Sequence, residues 1–449
     1  MPSASNNTAA SAGLRHQLTA GQMAMVGVGG SIGTGLLLGS GAAVRIAGPA
    51  VIISFAAAAV ISWTVTMAMG ELASAHPSAG SFGTYAEVYL NSWAGFISRY
   101  GYWLAIATAI GGEMVASATY MRFWFPNVQA NAWTALFAAG LLAINLRAVG
   151  DYGRFEYWFA MIKLLTIFVF VALGAGLLLT HRVLPQFAAS GGFFPKGNYA
   201  PLLAMSFSLF TFAGIEMAAI SSGEARSRRE IARAVRLTFA LLTLVYMGAI
   251  VVLVGIMPWN GAGVGESPFV TVFRHAGLPA ASHVMNLVVL SAALSGANAS
   301  LYADSRTLFS LAQDGYAPAS LGKLTAAGAP LRALLVSSLG IVVALVMQRW
   351  APEDAFVYLL GAALFGAMLA WLVALAAHVQ FRLRASPADI AALPMRSPGG
   401  APASIAGFIA IVVSLAATWW YSRVTVISGL LYLSGLSAAY LLARKTVRH

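Results

Sequence analysis

The chain has 449 residues, of which 59% are hydrophobic and only 9% are charged. A soluble domain cannot bury so much apolar surface, so this composition excludes a soluble protein and predicts a polytopic membrane protein. The sequence contains no cysteine, which excludes disulfides and thiolate metal sites. The net charge of +12 does not indicate a nucleic-acid partner, because most basic residues fall in short loops, where they set membrane topology. We expect no cofactor and no metal.

Twelve runs of about 20 apolar residues, the length that crosses ~30 Å of hydrocarbon, divide the chain. They cover residues 21–44, 47–71, 93–121, 130–146, 157–180, 200–223, 235–257, 281–311, 331–348, 355–379, 404–421 and 425–443. Lys and Arg residues are concentrated in the segments on the N-terminal side of the membrane, which predicts that both termini are cytosolic. We therefore expect an all-α protein with twelve transmembrane helices in the lipid bilayer of the inner (cytoplasmic) membrane. Residues 1–20 and 444–449 are the expected cytosolic tails.

The first of these spans contains a glycine-rich stretch between Met25 and Gly41. Five glycines between Gly27 and Gly35 disfavour a continuous helix, because each costs about 1 kcal/mol relative to alanine. Two interpretations stay open. The glycines form a helix-packing face with Gly-x-x-x-Gly spacing, or the span is unwound at mid-membrane and its backbone N–H groups hold an anion.

Ionisable side chains inside membrane spans cost a few kcal/mol each and usually mark function. The candidates are Glu113 in span 3, Lys163 in span 5, Glu216 in span 6 and Glu224 at the inner end of span 6. Glu71 ends span 2, where we expect a solvated helix terminus. The arginines at 226–236 are expected to form a juxtamembrane basic loop that meets lipid headgroups.

Span 6 is predicted to contain a second interruption. Residues 206–225 combine aromatic and β-branched residues, a glycine and the buried Glu216, a mixture that gains little from a continuous helix. This interruption falls where a second copy of span 1 would begin. Residues 21–180 and 200–380 are therefore predicted to be two inverted five-helix repeats, followed by two accessory helices at 404–443. Two broken helices that face each other at mid-bilayer form the usual site of a secondary transporter.

Several short motifs lie in order along about residues 15–385. They include residues 29–36 (GGSIGTGL), 70–72 (GEL), 77–82 (PSAGSF), 156–159 (EYWF), 213–216 (AGIE), 298–302 (NASLY) and 314–318 (DGYAP). Together they resemble the motifs of amino-acid permeases of the amino acid–polyamine–organocation superfamily, and most of all its bacterial amino acid transporter branch. The resemblance implies a LeuT-like fold, a five-plus-five inverted repeat with two extra helices in which helices 1 and 6 are unwound at mid-membrane.

The resemblance also implies where a substrate binds. Its carboxylate would meet backbone amides around Ser31, Gly33 and Thr34, and its α-amine would meet carbonyl groups exposed where helices 1 and 6 unwind. The ends of the half-helices carry partial charges that suit both groups. The candidate substrate-binding residues are Val28, Gly30, Ser31, Gly33, Thr34, Glu113, Phe207, Phe210, Phe212, Ala213 and Glu216. Each phenylalanine either gates or lines the pocket, or else packs against lipid and neighbouring helices.

Lys163 matches the position in the fifth helix where proton-coupled family members carry a lysine in place of a sodium ion. A buried lysine can cycle between its charged and neutral forms. We therefore expect Lys163, together with Glu113, to couple transport to protons. A permanently paired structural lysine is the alternative, and Glu113 could instead pair with a cationic group of the substrate.

The implied function is import of an amino acid or related amine by proton symport with alternating access. No zinc-protease motif, nucleophile elbow or phosphate-binding loop is present in the sequence, so we expect no enzymatic activity. A transporter-like amino-acid sensor, or an exchanger without proton coupling, stays open as the alternative.

Overall fold

The computed structural model describes residues 18–76, 81–146, 152–180, 186–187, 191–220, 222, 225–325 and 329–446. Within these ranges every regular element is helical, and the one β-type contact is an isolated bridge between Leu18 and Ala225. The prediction of an all-α protein is confirmed. Glu224 and residues 77–80 of the predicted motifs lie outside the described residues.

Seven helices form the first part of the chain. They are α1 (Ala20–Ser31), α2 (Ser40–Ala47), α3 (Val51–Ala75), α4 (Ser81–Tyr89), α5 (Ser92–Met121), α6 (Ala130–Leu146) and α7 (Tyr152–Leu179). A π-helical turn, Gly35–Gly39, precedes α2.

Twelve helices form the second part. They are α8 (Ala200–Leu203), α9 (Met205–Thr211), α10 (Met217–Ile220), α11 (Arg228–Ile256), α12 (Pro268–His275), α13 (Pro279–Gln313), α14 (Leu331–Ser337), α15 (Leu339–Trp350), α16 (Ala355–Arg384), α17 (Pro387–Ala391), α18 (Gly400–Tyr421) and α19 (Arg423–Thr446).

Nine helical segments in the described part of the chain are long and apolar enough to cross a membrane. The protein is therefore a multi-pass membrane protein. A span needs roughly 20 residues. Interruptions leave α1, α8, α9 and α10 shorter than that. The total of twelve spans stays a prediction.

Helix α5 lies at the centre of the bundle and packs against α13, α15 and α16. Glycine allows the close approach, because a Cβ at Gly366 of α16 would lie only 2.5 Å from the carbonyl oxygen of Gly101 in α5. Gly340 of α15 is pressed against the Ala107 carbonyl of α5 in the same way. Small residues at helix contacts are typical of membrane bundles, where close backbone packing replaces the hydrophobic effect.

One end of the bundle brings together the start of α1, the start of α11 and the end of α3. The backbone N–H of Ala20 donates to Oε2 of Glu230 at 2.5 Å, and Tyr89 of α4 lies 2.5 Å from Nε2 of His76, which follows α3. We call it the inner end, because the distribution of basic residues predicts that it faces the cytosol.

The expectation of a basic loop at 226–236 is wrong. Helix α11 begins at Arg228, and the Ser227 hydroxyl caps it by accepting the Glu230 N–H at 3.3 Å. A Ser N-cap followed three residues later by Glu is a typical helix start. Most of the arginines in this segment therefore lie on the first turns of a helix, with their side chains exposed.

Glu71 is also not at a solvated helix terminus, because its side chain is fully buried. Its Oε2 accepts hydrogen bonds from the Ser397 N–H at 2.7 Å and from the Arg382 guanidinium at 2.7 Å, and it lies 3.1 Å from Nε2 of His378. The segment between α17 and α18 covers the end of α3 and supplies one of these donors. Glu71 thus joins α3, α16 and the segment before α18 at the inner end.

Candidate functional site

The first helix stops inside the glycine-rich stretch. Helix α1 ends at Ser31, and Ile32 has φ −80° and ψ 88°, outside the helical region. The Ile32 N–H donates to the Val28 carbonyl at 3.0 Å, and the Gly33 N–H donates to the Ser31 carbonyl at 3.0 Å. Ile32 thus makes the last regular bond of α1, and regular helical bonding is lost at Gly33 and Thr34, before the π-helical turn.

A carboxylate from another helix caps this interruption. Oε1 of Glu113, on α5, accepts the backbone N–H of Thr34 at 3.2 Å. A Cβ at Gly33 would lie 2.7 Å from the same oxygen, so a side chain there would require the Glu113 carboxylate to shift. The other oxygen, Oε2, is buried and has no hydrogen bond within the described residues. Glu113 thus occupies one of the amides that the sequence assigns to the substrate carboxylate.

Lys163 provides the opposite charge beside this interruption. It lies on α7, its residue is 2% exposed, and it is close enough to Glu113 for electrostatic attraction. The first interruption therefore combines backbone amides, a carboxylate and an ammonium group in a low-dielectric interior, where such interactions are strong.

The second interruption lies in the sixth predicted span. Helix α9 ends at Thr211, a turn covers 212–216, and α10 begins at Met217. Gly214 has φ +99°, a conformation that favours glycine. Oε2 of Glu216 accepts the Gly214 N–H at 3.0 Å and the Trp371 indole N–H at 3.3 Å, and Tyr102 also hydrogen-bonds to Glu216. Glu216 therefore caps the turn within its own segment.

The two interruptions touch each other. A Cβ at Gly214 would lie 2.6 Å from the carbonyl oxygen of Gly30, so the backbones meet there. The Thr211 hydroxyl donates to the Gly35 carbonyl at 3.3 Å, and the Tyr246 hydroxyl of α11 donates to the Ser31 carbonyl at 2.8 Å. The structure thus brings both candidate backbone segments into one place.

The three phenylalanines have different surroundings. Phe212 is fully buried and packs against α11, while Phe207 packs against Tyr421 of α18 with ring centroids 5.4 Å apart. Phe210 lies against Gly35, and its carbonyl accepts the Ala213 N–H at 2.9 Å. Phe207 and Phe210 both line a narrow cleft between α9, α16, α18 and α19.

Three residues at the site were not identified from the sequence: Tyr102, Tyr246 and Trp371. A signal exists for Tyr102, which lies eleven residues before Glu113 and so falls on the same face of α5. Tyr246 and Trp371 lie in runs that are apolar throughout, where no local pattern distinguishes them. Among the described residues, no group of three or more His, Asp or Glu side chains could hold a metal ion.

Comparison with known proteins identifies the family of this chain. The family model described as "Amino acid permease" matches residues 22–446. The chain belongs to the amino acid permease family. The resemblance seen in the sequence is therefore confirmed, and so is the expectation of a transporter rather than an enzyme.

Three relatives place the permease among bacterial proteins. An uncharacterized amino acid permease, YtnA of Bacillus subtilis, is 33% identical over 93% of this chain and 92% of the relative. The gamma-aminobutyric acid permease of the same organism is 32% identical over 86% of this chain and 83% of its own length. The aromatic amino acid transport protein AroP of Escherichia coli is 35% identical over 80% of both chains.

A solved structure shares the fold of the permease. The crystal structure of the Eremococcus coleocola manganese transporter, in complex with an aromatic bis-isothiourea substituted compound, matches with a TM-score of 0.58. The match covers 95% of this chain and 93% of the transporter at 15% sequence identity, so the likeness concerns the fold alone.

Proposed function

We propose that the permease imports an amino acid or related amine across the inner (cytoplasmic) membrane by proton symport with alternating access. The observation that carries this proposal is the contact between the two interrupted helices, with Glu113 and Lys163 beside the first interruption. Broken helices that meet in this way supply charge-selective backbone groups. Their irregular backbone is buried in protein and does not face lipid.

The proposal includes a twelve-helix topology. Residues 21–180 and 200–380 form two inverted five-helix repeats, residues 404–443 add two accessory helices, and both terminal segments are cytosolic. In this arrangement both interruptions lie at mid-membrane. The contact of Gly30 with Gly214 supports it, since these glycines belong to the first helix of each repeat.

The substrate carboxylate replaces Glu113 at the first interruption. The Thr34 N–H already donates to a carboxyl oxygen of Glu113, which supports the assignment of this amide to the substrate carboxylate. Ser31 and Gly33 complete the backbone cradle, and the α-amine turns towards carbonyl groups near Val28 and at 210–213. Glu216 keeps its capping role, because its Oε2 is shared by the Gly214 and Trp371 donors.

Displacement of Glu113 links binding to protons. When the substrate carboxylate takes the Thr34 amide, two buried carboxylates, that of the substrate and that of Glu113, lie side by side. Repulsion between their like charges favours a proton on one of them. That proton comes from outside and is held by Glu113 and Lys163. It leaves when the inner side opens and Glu113 returns to the Thr34 amide.

Uptake into proteoliposomes tests the proposal. Radiolabelled amino acids are offered with an acidic outside, with no pH gradient, and with a protonophore. Aromatic amino acids and γ-aminobutyrate are the first to test, because two relatives carry those names. We expect accumulation above equilibrium that requires the gradient and is lost with the protonophore. Uptake that needs only internal substrate would indicate an exchanger, and binding without uptake would indicate a sensor.

A further inference from the structure

A further buried acid lies on α13, away from both interruptions. Asp304 is fully buried, and neither of its carboxylate oxygens makes a hydrogen bond within the described part of the chain. An isolated carboxylate without hydrogen bonds is far more costly to bury when it is charged than when it is neutral. In this closed arrangement, burial therefore favours a proton on Asp304.

The groups that face Asp304 are hydroxyls and rings. Among the described residues, Tyr102 of α5 and Tyr432 of α19 are titratable groups that lie within electrostatic reach of it. The Tyr432 hydroxyl already donates to the Tyr100 carbonyl at 2.6 Å. Ser337 of α14 lies beside Asp304, and its hydroxyl accepts the Trp103 indole N–H at 3.2 Å.

Asp304 lies in line with Glu113 on the way to the inner end. Gly296 of α13 contacts Glu113, since a Cβ there would lie 3.5 Å from its carboxyl carbon. Asp304 follows eight residues later, about 12 Å along the helix, and Ser300 lies between them on the same stripe. Helix α13 runs towards the inner end, where Tyr316 beyond it donates to Glu87 of α4 at 2.8 Å.

We propose that Asp304 is a second proton-binding site, through which the proton leaves the Glu113–Lys163 pair for the cytosol. This inference rests on the proposed function. Asp304 holds a proton while the bundle is closed. When the inner side opens, water reaches the carboxyl group, its O–H bond breaks and the proton enters the cytosol. A new O–H bond then forms with the proton released from Glu113 and Lys163, so one proton crosses per cycle.

The variant Asp304→Asn tests this site, because asparagine keeps the shape and cannot release a proton. Asp314→Asn is the matched control, since Asp314 lies exposed just beyond the end of the same helix. In proteoliposomes we expect Asp304→Asn to lose proton-driven accumulation while it keeps substrate binding and exchange. Asp314→Asn should keep all three. Accumulation by Asp304→Asn at the wild-type level and with the wild-type pH dependence would contradict the role of Asp304 and leave the proposed function standing.

Infrared difference spectroscopy provides a readout that does not depend on transport. The spectrum of wild-type protein at neutral pH minus its spectrum at alkaline pH should contain a carboxylic-acid C=O band. This band should be missing in Asp304→Asn and present in Asp314→Asn. A spectrum without that difference would contradict protonation of Asp304, even if Asp304→Asn also folds poorly. Absence of proton-driven uptake by wild-type protein would contradict the proposed function and this inference together.

Discussion

The two helix interruptions differ in the origin of the carboxylate that caps them. At the first, Glu113 reaches across from α5 to the Thr34 N–H. At the second, Glu216 bonds to Gly214, two residues away in the same turn, and is fixed further by Trp371. A cap from another helix can leave without unfolding the segment that it caps, whereas a cap inside the turn is part of its structure.

This difference indicates different roles for Glu113 and Glu216. Among the described residues, Glu113 accepts a hydrogen bond from the interruption at Oε1 and none at Oε2, so a substrate carboxylate can take its place. Glu216 shares one oxygen between a donor in its own turn and a donor on α16, so its loss leaves buried polar groups without partners. We therefore expect variants at the second interruption to affect folding and those at the first to affect binding and coupling.

The largest effect is expected from Gly214→Ala. A side chain at φ +99° costs about 1–3 kcal/mol in strain, and its Cβ would also collide with the Gly30 carbonyl at 2.6 Å. The melting temperature in detergent should fall and all binding should be lost. Gly21→Ala in α1 is the control, because a Cβ there meets nothing within 4 Å. A Gly214→Ala protein as stable as the control would contradict the contact between the interruptions.

Glu216→Ala should come next, with a clear contrast to Glu216→Gln. Alanine leaves the Gly214 N–H and the Trp371 indole N–H without an acceptor, at about 1–3 kcal/mol each. Glutamine keeps an acceptor oxygen, so it should recover most of the thermal stability and substrate binding. If both variants were equally unstable, the charge of Glu216 rather than its capping bond would be what the turn requires.

Much of this site follows from local features of the sequence. The first helix stops within the glycine-rich stretch, and the second interruption includes Glu216, because glycines and buried charges are signals that a single segment carries. The depth of both interruptions in the bilayer stays a prediction. The partners of Glu216 and Glu71 come from distant helices, and apolar runs do not indicate which face of a helix points inward.

Lys163→Ala should have an intermediate effect that is confined to coupling. Without the ammonium, the buried Glu113 loses a charge that favours its ionised form, so it keeps its proton through the cycle and no longer releases it on the inner side. We expect proton-driven accumulation to be abolished, while counterflow exchange persists and the melting temperature changes little. If Lys163→Ala accumulated substrate against a gradient at the wild-type level, Lys163 would have a structural role and no role in coupling.

Ser31→Ala should have the smallest effect. The Ser31 hydroxyl donates to the Gly27 carbonyl at 2.8 Å within α1, and the Tyr246 hydroxyl contacts the backbone of Ser31 rather than its side chain. Its loss should change stability by about 1 kcal/mol or less and leave substrate affinity nearly unchanged. A large loss of affinity in a binding assay would show that the hydroxyl itself contacts the substrate.

Competition binding tests most directly the claim that a substrate carboxylate replaces Glu113 at the Thr34 amide. A radiolabelled amino acid identified by uptake is bound to purified wild-type protein and displaced by two competitors, the same unlabelled amino acid and the amine that lacks only its carboxylate. Gly33→Leu, whose side chain would fill the space beside Glu113, is measured in parallel. We expect displacement by the amino acid alone and no binding to Gly33→Leu. Equal displacement by the amine, or unchanged affinity in Gly33→Leu, would contradict the account.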